Sequence, residues 1–265
     1  MAGQLKRLFI PGVGESFIQE NGGTPYEADT VQKYPLGTIM TLGLRKFAYA
    51  KAGGTLNCDL GAKQASHQHM AYTTIAADAA AGDTSIVADF GATDGAAHNG
   101  AVGEDELVGG FIVVFPHSSN TFVRQIIGNT ANAGSGGEIT ITLDSPIPCA
   151  LVTDSDHCEA MASPFLNVKT DNDGGVNPVV GIPTVPATKG QFCWLLVSGP
   201  GWAAPQAEVG DAAQDLAVTF RHDGSLDEHD YSDAYNTKQQ HAGFVLSKAY
   251  GGTQGAPFIN FQIFS

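Results

Sequence analysis

Apolar and polar residues alternate along much of this chain with a period of two, and no convincing amphipathic helix emerges. The clearest case is Glu138-Ile139-Thr140-Ile141-Thr142-Leu143-Asp144, where Ile139, Ile141 and Leu143 point one way and the polar residues between them the other. Successive side chains leave opposite faces of a pleated strand, so this alternation predicts a half-buried strand. Two runs precede it: the continuous apolar stretch 107–115, and Thr121-Phe122-Val123-Arg124-Gln125-Ile126-Ile127, which Gly128 ends. Turn-forming residues separate the three, a pattern that predicts an antiparallel meander. The other segments read as additions to that sheet.

The same reading extends in both directions. Residues 37–44 and 47–51 predict a hairpin, with Met40, Leu42 and Leu44 on one face, a tight turn at Arg45-Lys46, and Phe47 and Tyr49 sharing a face on the return. Strands are expected at 72–75 and 85–88, a loop at 91–105, and short strands at 150–152 and 158–161. Prolines at 178, 183 and 186 keep 179–185 extended but argue against a central strand. The run 191–197 predicts a buried strand, turned by Gly199-Pro200-Gly201, with 202–204 pairing back. Alternation resumes at 216–220. The polar, acidic stretch 222–241 reads as an exposed excursion, and 244–246 and 258–264 complete the set. Residues 1–35, punctuated by glycine and proline, predict an extended N-terminal arm with one short strand at 8–10. Such an arm folds onto a partner or is a disordered end. The expected fold class is therefore all-β: an antiparallel β-sandwich or barrel-like modules. The arm would span 1–35 and one antiparallel module 36–163. Residues 164–265 would form a second module or continue the same domain.

Composition narrows the function classes. The chain has 265 residues, 43% of them hydrophobic and 15% charged, which places it among globular proteins. Its 33 glycines suit many short strands joined by many turns. A formal net charge of −14 repels phosphate backbones and argues against nucleic-acid binding. No signal peptide and no membrane-spanning run is read from the sequence, so synthesis in the cytosol is expected, without membrane association. Cys58, Cys149, Cys158 and Cys193 lack C-x-x-C spacing and are expected to stay reduced, as small buried hydrophobes.

Candidate chemistry is thin. The hydrolase pattern G-x-S-x-G, the P-loop and the dinucleotide fingerprint are absent. His67 and His69, at i and i+2, would share one side of a strand and could hold a divalent ion, but no third ligand lies nearby in sequence. A polar loop pair at an interface is the simpler reading. Asp223, Asp227, Glu228, Asp230 and Asp233, with His222 and His229, form an acidic cluster whose oxygens suit calcium, although the spacing is not that of an EF-hand. A solvated acidic loop is the favoured reading, and Asp171-Asn172-Asp173-Gly174 is a weaker version of the cluster. No catalytic residue, cofactor or metal is therefore assigned. Trp194, between Phe192 and Leu196, reads as core, and Trp202 as the more exposed indole.

Several stretches together resemble the capsid decoration, or cement, proteins of tailed bacteriophages. They are Tyr34-Pro35-Leu36-Gly37-Thr38, Phe47-Ala48-Tyr49-Ala50-Lys51-Ala52-Gly53-Gly54, Gly109-Gly110-Phe111-Ile112-Val113-Val114, 139–147, Val180-Gly181-Ile182-Pro183 and Gln191-Phe192-Cys193-Trp194-Leu195. The excursion at 222–241 departs from that pattern. The resemblance implies a non-enzymatic virion protein, made in the host cytoplasm and bound to the exterior of a shell of major capsid protein. It also implies a small symmetric homo-oligomer, with a trimer favoured. Two alternatives stand beside it. One is a tail, fibre or carbohydrate-binding module using Trp202 and the acidic loop. The other is a metal-dependent hydrolase built on His67, His69 and the 223–233 cluster.

Overall fold

The computed structural model describes residues 24–64, 69–170, 177–206, 209–210, 215–229, 239–247 and 257–264, together with the backbone of 6–10 and 14–18. Among them there is no helix, and every pairing between named strands is antiparallel, as the period-two pattern predicts. In chain order the first strands are β1 (Lys6–Ile10), β2 (Gly14–Ile18), β3 (Ile39–Leu42), β4 (Arg45–Lys51) and β5 (Ala62–Lys63). Then follow β6 (Met70–Thr74), β7 (Ser85–Phe90), β8 (Ala101–Val102), β9 (Phe111–Phe115), β10 (Phe122–Asn129), β11 (Asn132–Ala133), β12 (Gly137–Leu143) and β13 (His157–Met161). The last group is β14 (Val179–Pro183), β15 (Phe192–Gly201), β16 (Ala217–Phe220), β17 (Leu226–Glu228), β18 (Gln240–Ser247) and β19 (Phe258–Gln262).

The chain divides into two compact units, 1–66 with 165–265, and 67–164. One division falls beside the expected Ser163-Pro164 boundary. Residues 36–66, however, group with the C-terminal part, because β4 pairs with β15 from Phe192↔Lys51 to Ser198↔Lys46.

In the discontinuous unit the strand order is β17-β16-β18-β19-β15-β4-β3-β1-β2, with β14 joining β15 to β5. Both faces of the β4–β15 pair are covered. One carries Phe47, Tyr49, Trp194 and Leu196, the other Ala48, Ala50, Cys193, Leu195 and Val197, and all of these are buried. A strand covered on both sides loses its alternation, which is why 47–50 and 192–197 read as unbroken apolar runs. Tyr49 was expected to share a single buried face with Phe47; the alanines behind them are buried as well.

The aromatic face is an interlocked cluster. Tyr49 lies 5.0 Å from Trp194, 5.3 Å from Tyr34 and 6.0 Å from Phe192, centroid to centroid. Tyr34 also touches Trp194 at 5.4 Å. Part of the expected N-terminal arm is thus folded onto its own sheet. Asp29 exchanges backbone hydrogen bonds with Phe192, accepts one from the Tyr49 hydroxyl at 3.1 Å and pairs with Lys33 at 2.5 Å. Burial, joined by the neighbouring Asp29 carboxylate, drives the Tyr49 phenol well above its ordinary range.

Several local expectations change. The β3–β4 turn falls at Gly43-Leu44, where Gly43 adopts a φ of 61° that favours glycine, and Arg45-Lys46 is already strand. Leu44 consequently points to solvent instead of continuing the Met40 face. Residues 179–183 form a fully buried strand despite the prolines, because Pro178 precedes it and Pro183 is its last residue. Gly199-Pro200-Gly201 does not turn the chain; β15 continues through it and pairs with β19 at Gly199↔Phe261 and Pro200↔Asn260. Gly199 is required there, since its φ is 103° and a Cβ would collide with the Leu44 carbonyl. The excursion at 222–241 is not wholly exposed: β17 pairs with β16, and Leu226 and Asp227 are buried.

In the second unit β6-β13-β9-β10-β12-β7 form one curled sheet. It contains the predicted meander, β9-β10-β12, in order. The end strands meet: Ile75 bridges Ala88, the Ala76 N–H donates to the Val87 carbonyl at 2.9 Å, and the Thr74 hydroxyl donates to Asp89 at 2.5 Å. The result is a barrel-like layer filled by Met70, Ile86, Phe90, Ile112, Val114, Ile126, Ile139, Ile141 and Leu143.

All four cysteines are free, and burial pushes the Cys158 and Cys193 thiols up to about 12. In native protein at pH 8, two thiols are expected to react with a disulfide reagent, and the other two only after unfolding in urea. Rapid labelling of all four in the native state would contradict this placement.

Candidate functional site

Of the residues singled out as metal ligands, the structure describes His69, Asp223 and Asp227. His67 and Asp230 lie outside the described residues, as do Asp233 and 171–174. His69 is buried, with its carbonyl accepting the Gly95 N–H at 2.7 Å. Asp223 folds back on Ser225, accepting from its N–H at 3.0 Å and its hydroxyl at 2.6 Å. Burial alone would raise the Asp223 carboxyl, but the Ser225 donors outweigh it and hold the group below the usual carboxylate range. Asp227 is buried and faces the Arg221 guanidinium at 2.9 Å. Both carboxylates are therefore engaged in tying the β16–β17 turn. No group of three metal-ligating side chains occurs among the described residues. Trp194 is core, as expected; Trp202 is half-buried, and its indole N–H finds no acceptor among the described residues.

A tight polar constellation lies at a residue that sequence reasoning passed over. Asp156 is 1% exposed at its side chain and receives three donors. The His117 N–H lies at 2.6 Å, His117 Nδ1 at 2.7 Å and the Val152 N–H at 2.7 Å. Burial acts to raise this carboxyl, and the donors more than reverse it, so it sits below the ordinary range. It lies in Thr153-Asp154-Ser155-Asp156, between the short strands expected at 150–152 and 158–161. The arrangement locks the loop after β9 to the segment entering β13.

Among the exposed large apolar side chains, two groups lie on sheet faces. On β18 and β19, Phe244, Leu246 and Phe258 stand opposite the buried Ile259, with Phe258 59% exposed. On the outside of the curled sheet stand Tyr72, stacked on His157 at 4.6 Å, and Phe111 and Val123. Phe111 and Val123 border an open depression of about 500 Å³, completed by Arg124, Gln125, Asp144 and Ser145. Strand alternation predicts which residues face outward here but not that they stay uncovered.

No helix among the described residues is long and apolar enough to cross a membrane. Comparisons with protein-family models, with curated proteins and with solved structures find no match. What the fold defines is an all-β protein of antiparallel sheets, one of them barrel-like.

Proposed function

We propose that this chain is a non-enzymatic virion structural protein, a capsid decoration protein that binds the outer surface of a phage head and stabilises it. The observation that carries the reading is the apolar row Phe244, Leu246 and Phe258 on the outer face of β18–β19. Neighbouring apolar side chains exposed together on one sheet face suit a contact surface. The reading is further supported by the resemblance carried by 34–38, 47–54 and 109–114, and by the diversion of Asp223 and Asp227 into turn contacts. The partner is the shell of major capsid protein, and the chain acts there as a small symmetric oligomer.

Leu246→Ser combined with Phe258→Ser tests this. Both side chains are exposed, so folding is expected to survive, as judged by an unchanged urea midpoint. Co-sedimentation with undecorated heads is expected to weaken about thirtyfold or more, the scale of losing anchor residues at an interface centre. Undiminished co-sedimentation would remove this surface from the proposal.

A further inference from the structure

We propose that the depression on the outside of β9–β10 is a binding site for a neutral, polyhydroxylated ligand of the sugar class. The inference does not depend on capsid binding and concerns the isolated chain. Its frame is fixed by the backbone. The Gln125 N–H donates to Asp144 Oδ1 at 3.0 Å, and the Asp144 N–H donates to the Gln125 carbonyl at 3.0 Å. Arg124 clamps the following segment, with Nε and Nη2 donating to the Pro146 carbonyl at 3.2 and 2.9 Å and Nη1 to the Val123 carbonyl at 2.9 Å.

Against that frame, three polar groups make no side-chain hydrogen bond to the described residues: the Gln125 amide, Asp144 Oδ2 and the Ser145 hydroxyl. They supply both donors and acceptors. Beside them lie Phe111, 43% exposed, and Val123, 55% exposed. Phe111 and Gln125 are direct cross-strand partners, so the ring and the amide stand side by side. The volume, about 500 Å³, lies within the range of small-molecule sites.

The lining discriminates among ligand classes. A purely apolar ligand would strip water from the amide, carboxylate and hydroxyl without replacing it. An anion meets Asp144 and a chain of net charge −14. A dication finds a single carboxylate, and an organic cation meets a lining that sets the cationic Arg124 beside that carboxylate. A sugar presents C–H groups on its ring faces, which suit an aromatic plate, and hydroxyls at its edge, which suit mixed donors and acceptors.

Saturation-transfer NMR of the full chain with the methyl glycosides of glucose, galactose, mannose and N-acetylglucosamine tests the proposal. Transfer to at least one glycoside is expected. Phe111→Ala and Gln125→Ala are each expected to weaken that glycoside about tenfold, the loss of one well-made contact. Asp144→Asn keeps the acceptor for the Gln125 N–H and is expected to weaken it less. Circular dichroism and the urea midpoint show whether each variant has folded. Absence of transfer from all four glycosides would overturn the proposal, as would transfer that both alanine variants leave unchanged. Self-association abolished by Phe111→Ala, with no sugar signal, would instead make this face a protein contact and would also overturn it.

Discussion

Trp194→Ala is expected to lower the unfolding free energy by about 3–5 kcal/mol, the range for emptying a large aromatic site in a packed core. Trp194 is 1% exposed and touches Tyr34 and Tyr49. Tyr49 cannot follow the lost indole. It is held by its hydroxyl on Asp29, and its strand is fixed against β15. The site can relax little, so the upper part of that range is the expectation. A large loss should also loosen 24–35, because Tyr34 and the Asp29 pairing with Phe192 rest on the same cluster. Urea unfolding measures the first effect, and amide exchange at Asp29 and Lys33 the second. A midpoint within error of the parent would place Trp194 outside the core.

The second large effect concerns Asp156. Its folded-state pKa lies below that of the unfolded chain, about 3.9 for an aspartate. The stabilisation is therefore complete above the unfolded value and disappears as pH falls through the folded one. Asp156→Asn keeps the shape but turns an amide donor toward one of the N–H groups and removes the charge. Loss of about 2–4 kcal/mol at pH 7 is expected, as for a buried charged acceptor left with unmatched donors. Between about pH 4 and the acid limit the parent should lose more stability than the variant, so the two curves approach each other. Denaturant melts across that window decide the matter. A gap that stays constant down to the lowest pH would show that the Asp156 charge contributes nothing.

How much of this was legible in the sequence depended on how far each segment's partner lay along the chain. The meander over β9, β10 and β12 and the β3–β4 hairpin are local, and alternation located both, although the β3–β4 turn comes two residues earlier than expected. The β4–β15 pair was not legible as a pair: Phe47 and Trp194 each sit in an apolar run, and nothing local says that one covers the other. The same distance hid the fate of 36–66, which its own pattern assigned to the module that follows. Turns failed where backbone geometry outranked composition. Gly199-Pro200-Gly201 has the residues of a turn, yet pairing with Phe261 and Asn260 keeps it extended. For the candidate sites, carboxylate clustering indicated where acidic side chains are, not what they bond. Asp227 was visible as an acid; its burial beside Arg221 belongs to the β16–β17 turn. Asp156 showed no sign of importance, since the residue that fills its coordination, His117, comes 39 positions earlier.

The barrel-like unit is written inside the other one, between residues 66 and 165. On the ribosome this sets an order of events. β4 leaves the exit tunnel well before β15 exists, and the whole of 67–164 is synthesised in the interval. The inserted unit can complete itself as soon as β13 emerges, because every strand of its sheet is then present. The nascent β3–β4 hairpin must meanwhile wait with the side chains of Phe47 and Tyr49 uncovered. Non-local closure of that kind is slow, and until β15 arrives the hairpin keeps that apolar face open to water.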